Sequence, residues 1–150
     1  MLYNMCMGIE DFLPCDNEKI NELLHFTAEV DKMTLIDTIV ILRYLLNDIP
    51  EQADKAESVI KTGAFTLPEI VAEVVYVLVK LYKIPRDSIN KIILPLFDEI
   101  EIQNKEVILK AADLFSETSL DFVDCILVAR NKILNEHIFS FDKKLNNKLN

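Results

Sequence analysis

Short apolar runs alternate with stretches of helical periodicity along most of this 150-residue chain. Thr34-Leu35-Ile36, Ala64-Phe65-Thr66, residues 99–103 and Ile138-Phe139-Ser140 each have the length and content of a strand. Helical patterns lie between them, over residues 37–47, 51–61, 68–82, 85–97, 105–117 and 122–134. Pro50, Pro68 and Pro85 fit helix starts, and Gly63 fits a stop. Strands joined by such long helical crossovers cannot form hairpins. They imply an α/β fold with a parallel sheet and helices on both faces.

The segment from Ile70 to Leu81 is the most apolar in the chain. Ile70, Val71, Val74, Val75, Leu78 and Leu81 cover most of a helix circumference, so a central position is expected. Glu73 and Lys80 make the segment too charged and too short to span a bilayer. Met1 to Glu10 carries no basic start of a secretory signal, so the cytoplasm is expected. Cys6, Cys15 and Cys125 are odd in number and far apart, which suggests neither a disulfide framework nor a zinc site. His25 lies early in the chain and His137 is expected in a loop, so histidine chemistry has little support.

The acids carry more information. In open α/β sheets, sites form beyond the carboxyl ends of the strands. Asp37 follows the first apolar run and Asp142 the last, Glu73 lies just inside the helix after the second, and Asp124 opens the helix that feeds the last. Four carboxylates in one pocket repel, at about 4 kcal/mol per pair for a 4 Å separation and an effective dielectric near 20. A divalent cation is the natural remedy, and oxygen ligands favour Mg²⁺ or Mn²⁺. Spacing alone leaves alternatives open, because Glu69 shares a helix face with Glu73 and Asp121 with Asp124. Glu73 stands out because its apolar neighbours predict burial, and a buried carboxylate needs a partner.

Four segments then resemble one family in order. Leu35-Ile36-Asp37-Thr38-Ile39-Val40 resembles the opening of a PIN-domain nuclease, closest to VapC-type toxins of toxin–antitoxin pairs. Ala72-Glu73-Val74-Val75-Tyr76, Leu120-Asp121-Phe122-Val123-Asp124-Cys125 and Phe139-Ser140-Phe141-Asp142-Lys143-Lys144 resemble its second, third and fourth acidic motifs. The resemblance implies a three-layer α/β/α fold with a short parallel sheet. It implies metal-dependent cleavage of RNA phosphodiesters, with Asp37, Glu73, Asp124 and Asp142 as catalytic metal ligands. Asp121 would be an accessory acid, and Ser140 stands where a hydroxyl often bonds the site. A homodimer and a cognate antitoxin are implied partners. Ile39 departs from the pattern, because the family usually has Asn there.

Residues 1–33 precede the likeness and form an extension to the nuclease domain at 34–150. Asp16 is expected to cap a short helix bearing Ile20, Leu23, Leu24 and Val30. The chain's formal charge is −9. The extension holds seven acids against two bases, a net of −5, which leaves −4 for the other 117 residues. Three readings fit it: an upstream start with Met33 as the true one, a structural add-on, or an acidic tail acting on the site in cis. The competing function is a non-catalytic PIN-like binding or regulatory module, supported by Ile39 and the acidic extension. Phospho-acceptor signalling is disfavoured by the placement of the acids.

Overall fold

The computed structural model describes residues 32–149. The expectations for Asp16, Ile20, Leu23, Leu24, Val30, His25, Cys6 and Cys15 lie outside those residues. Thr34–Asn150 makes up one compact unit.

Three short strands form a parallel sheet in the order β1-β2-β3: β1 (Thr34–Leu35), β2 (Ala64–Thr66) and β3 (Ile100–Ile102). Thr34 pairs with Ala64 and Leu35 with Phe65, while Ala64, Phe65 and Thr66 pair with Ile100, Glu101 and Ile102. The pairing continues one residue beyond β1, where the Ile36 N–H donates to the Phe65 carbonyl at 3.0 Å. The buried Thr66 hydroxyl donates to the Ile36 carbonyl at 3.2 Å. Both bonds fix the chain immediately before Asp37.

Two helices separate each pair of strands. They are α1 (Thr38–Leu46) and α2 (Pro50–Thr62), then α3 (Pro68–Lys80) and α4 (Ile89–Leu96). After β3 come α5 (Lys105–Glu117), α6 (Phe122–Leu134) and the short α7 (Lys143–Asn146). Pro50 and Pro68 occupy the first turns of α2 and α3, where a missing N–H costs nothing. Gly63 ends α2 at φ 110°, a backbone state that a side chain disfavours. The helix expected over residues 85–97 begins with a 3₁₀ turn at Arg86–Ser88. The fold is the three-layer α/β/α arrangement around a short parallel sheet.

The core explains the layout. Val71, Val74, Val75 and Leu78 on α3 are almost fully buried at helical spacing, so α3 is central as its apolarity requires. Ala111, Ala112, Val107 and Ile108 on α5 meet Cys125, Val128 and Ala129 in the same core. Small residues on both α5 and α6 allow these helices to pack closely, and they share the most extensive helix pairing. Phe115 and Phe122 join them edge to face, with centroids 5.5 Å apart. No helix among the described residues is long and apolar enough to cross a membrane.

Two expectations are corrected. Ile138-Phe139-Ser140 is not a strand: the segment is irregular and pairs with no sheet neighbour among the described residues. Its residues have strand-like content, but its backbone finds no partner strand among the described residues. Glu73 is exposed, not buried. It lies on the stripe of α3 that also carries Glu69, Tyr76 and Lys80, all exposed. The apolar neighbours at positions 71, 74 and 75 face the core, so their composition says nothing about the face between them.

Candidate active site

Asp37 leaves β1 at the carboxyl end of the sheet and caps α1. One carboxylate oxygen, Oδ1, accepts from the Val40 N–H at 3.0 Å. This satisfies an orphan donor of the first turn and fixes the side chain. Thr38 follows, with only 7% of its surface exposed, and its hydroxyl donates to Glu73 Oε2 at 2.6 Å. That length suits a bond to a charged acceptor. The Thr38 hydroxyl therefore ties the end of β1 to α3 and holds Glu73, although Glu73 itself faces water.

A second group gathers at the start of α6. Asp121 occupies the N-cap position, but its side chain makes no capping bond. Asp124 is half-buried in the first turn. Burial pushes its carboxyl above the usual range, and the charges of Asp121 and Asp142 push it further. Asp142 reaches this neighbourhood by a return path. Helix α6 ends at Asn135, which adopts a left-handed conformation at φ 54°. Arg130 grips Glu136 with two bonds, and the Asn131 side chain donates to the Glu136 carbonyl at 3.0 Å. From residue 124 to 134 a helix rises roughly 15 Å, a distance that eight extended residues can retrace.

Asp142 then caps α7, with Oδ1 accepting from the N–H groups of Lys144 at 2.7 Å and Leu145 at 3.2 Å. Its own N–H donates to Ser140 Oγ at 3.0 Å, and Asn146 Nδ2 donates to the Ser140 carbonyl at 2.8 Å. Leu145, buried at 2% exposure, anchors the turn. Ser140 thus orients the backbone at Asp142.

Helix α3 packs against both α1 and α6, so Glu73 rides on the element between the two groups. Asp37 and Glu73 are joined through Thr38, while Asp124, Asp121 and Asp142 are joined through their charges. Among the described residues, no three acids, histidines or cysteines converge closely enough to hold a metal ion. The donor set nevertheless suits one. Among the described residues nothing donates to Asp37 Oδ2, Glu73 Oε1 or Asp142 Oδ2, and each carboxylate is anchored through its other oxygen. Ion pairs between described residues engage Asp48, Glu51, Glu57 and Glu136, not these acids. Hard oxygen donors without a protein cation match Mg²⁺ or Mn²⁺.

Two clefts adjoin the acids. One of about 550 Å³ lies between α3 and α6 and is lined in part by Tyr76, Lys80, Arg86, Asp121 and Asp124. The other, about 490 Å³, includes Leu35, Asp37, Ile39, Arg43 and Lys55. Ile39 is 53% exposed at its wall. An alkyl side chain there offers Asp37 no polar contact, and among the described residues the Val40 N–H is the donor that orients that carboxylate.

Residues 34–148 match the model of the PIN domain. The chain belongs to the PIN domain family. PIN domains are generally metal-dependent nucleases, and in this PIN domain Asp37, Asp124 and Asp142 lie at helix starts while Glu73 lies within α3. Searches of curated proteins and of solved structures returned no match.

Thr38 and Arg86 were not marked as functional by the sequence. Arg86 lies 3.6 Å over the Phe115 ring, and its Nη2 donates to the carbonyls of Phe115, Thr118 and Leu120. It therefore ties down the loop that presents Asp121. The carbonyls it gathers follow it by 29 to 34 positions, and no local pattern announces such a bond. Thr38 bonds a residue 35 positions away, and no local pattern announces that bond either.

Proposed function

We propose that this PIN domain is a Mg²⁺- or Mn²⁺-dependent endoribonuclease and the toxin of a toxin–antitoxin pair. The observation that carries the reading is Asp124. It is a half-buried carboxylate crowded by Asp121 and Asp142, with its ionised form disfavoured until a cation joins it. Asp37, Glu73, Asp124 and Asp142 would hold the ion. A bound divalent ion supplies Lewis acidity that lowers the pKa of water and offsets charge at the scissile phosphate.

The chain's own residues do the positioning. The Val40 N–H leaves Asp37 Oδ2 for ligation, and the Thr38 hydroxyl leaves Glu73 Oε1. The N–H groups of Lys144 and Leu145 leave Asp142 Oδ2. The two acid groups would draw together around the ion as their repulsion is neutralised. The antitoxin and the homodimer rest on the family resemblance, and the cytoplasmic setting rests on the residue content of Met1 to Glu10. The nuclease domain at 34–150, with residues 1–33 as its extension, also rests on the family resemblance.

A non-catalytic binding module is the second reading. It is favoured by Ile39 at the wall of the Asp37 cleft and by the lack of a closed three-acid set among the described residues. Cleavage decides between them. Purified chain free of antitoxin is expected to cut RNA with Mg²⁺ or Mn²⁺, and Asp124→Asn is expected to abolish cutting while the fold is retained. A parent protein that cuts no RNA in a broad panel with either metal would leave the binding module standing.

A further inference from the structure

Phe139 and Phe141 are the most exposed large apolar side chains among the described residues, at 84% and 90%. The same chain buries Phe97, Phe115 and Phe122 to 5% exposure or less. The two exposed rings stand edge to face, 5.1 Å between centroids and 79° between planes. Their backbone is not loose. Ser140 between them is tied through both its hydroxyl and its carbonyl, and Glu136 is clamped by Arg130. Exposure alternates along the segment, with Ile138 and Ser140 half-buried and Phe139 and Phe141 outside. The contact between the rings places both on one side of the segment.

The position matters as much as the exposure. Phe141 immediately precedes Asp142, whose charge is felt by Asp124. Lys143 and Lys144 follow at once, both exposed and neither in an ion pair with a described residue. Aromatic faces that stack bases, set beside cations that meet phosphates, are how proteins hold single-stranded nucleic acid without reading its sequence. A protein surface pressed on the rings would have to desolvate Asp142, Lys143 and Lys144, which carry charge within three residues.

Resting on the nuclease reading, we propose that Phe139 and Phe141 form a stacking platform for unpaired bases of single-stranded RNA. Lys143 and Lys144 meet the adjoining phosphates, and the strand is thereby delivered to the acids at Asp124 and Asp142. The substrate class is accordingly RNA with at least two unstacked bases beside the scissile bond.

The test uses the full chain, a fluorescein-labelled unstructured RNA and a duplex of the same length, with Ca²⁺ replacing the catalytic ion during binding. Phe139→Ala/Phe141→Ala is expected to weaken single-strand binding by about 30-fold or more, since both stacked bases lose their ring. Duplex binding and the Mg²⁺-induced rise in Tm should hold, and Phe139→Tyr/Phe141→Tyr should restore single-strand affinity. In cleavage the loss should appear in KM with kcat little changed. A parent that cuts RNA while the alanine variant keeps its Kd and KM would overturn the platform and leave the nuclease reading intact. So would an equal loss on duplex, or a dimer that falls to monomer in step with the loss, which would make the rings a contact between copies. A parent that neither binds nor cuts RNA overturns both.

Discussion

Asp124 shows how one side chain reports on a site. Its carboxyl is held above the ordinary range first by burial, then by Asp121 and Asp142. The folded chain therefore keeps that proton to a higher pH than the unfolded chain does. By linkage, metal-free stability from this group is greatest below the ordinary Asp range and falls as pH rises to the raised value. Asp124→Asn removes the ionisation and is expected to raise the metal-free Tm at pH 7.5, with a smaller gain at pH 4. Thermal melts of both proteins at the two pH values check this, and an equal gain at both would show that charge is not the cause. Thr38 is the second residue of this kind. Thr38→Val should cost no more than about 1.5 kcal/mol of stability, because Glu73 is open to water. It should weaken metal affinity by about 10-fold, as loss of an orienting contact does elsewhere. Calorimetric titration with Mn²⁺ measures the second effect.

At the scale of elements, two of the four acids also serve as helix caps. Asp37 caps α1 and Asp142 caps α7, each through Oδ1. Capping and metal binding can be separated by chemistry, since Asn caps as well as Asp but is a poorer ligand for a hard cation. Asp37→Asn is expected to keep the fold's stability and lose cleavage. Asp37→Ala should lose cleavage and about 1 kcal/mol of stability as well. Urea unfolding of the two variants separates the roles, and equal stability would mean the cap contributes nothing. At Asp37 one position serves both needs: the chain leaving β1 for α1 needs a side-chain acceptor where a site at the sheet end needs a carboxylate.

Across the whole molecule, the acids arrive by two routes that meet at α3. One runs along β1 into α1, fixed by the Ile36 and Thr66 bonds. The other doubles back after α6 to place Asp142. A cation joining the two groups would favour the folded state over the unfolded one. At 100 times its Kd, Mg²⁺ or Mn²⁺ should add about 2.7 kcal/mol, a Tm rise of about 5–10 °C. Asp124→Asn should reduce most of that rise. A parent whose Tm ignores both metals across the millimolar range would argue against a shared ion.

The local sequence determined the helices and most of the strands, and it named the acids that the proposed site uses. Proline and glycine set Pro50, Gly63 and Pro68 as boundaries. Apolar spacing alone made α3 central, because a helix that buries Val71, Val74, Val75 and Leu78 has few other places to lie. Tertiary structure decided what local pattern cannot carry. Whether residues 138–140 join the sheet depends on the path imposed by Arg130 and Glu136, not on their β-propensity. Whether Glu73 is buried depends on which side of α3 meets its neighbours. Its partner Thr38 is 35 positions away and comes within reach only once β1 and α3 are packed. The four carboxylates can be named from the sequence. Their division into two groups, three carboxylates held through one oxygen and Asp124 held above the usual range by burial, is a property of the packed molecule.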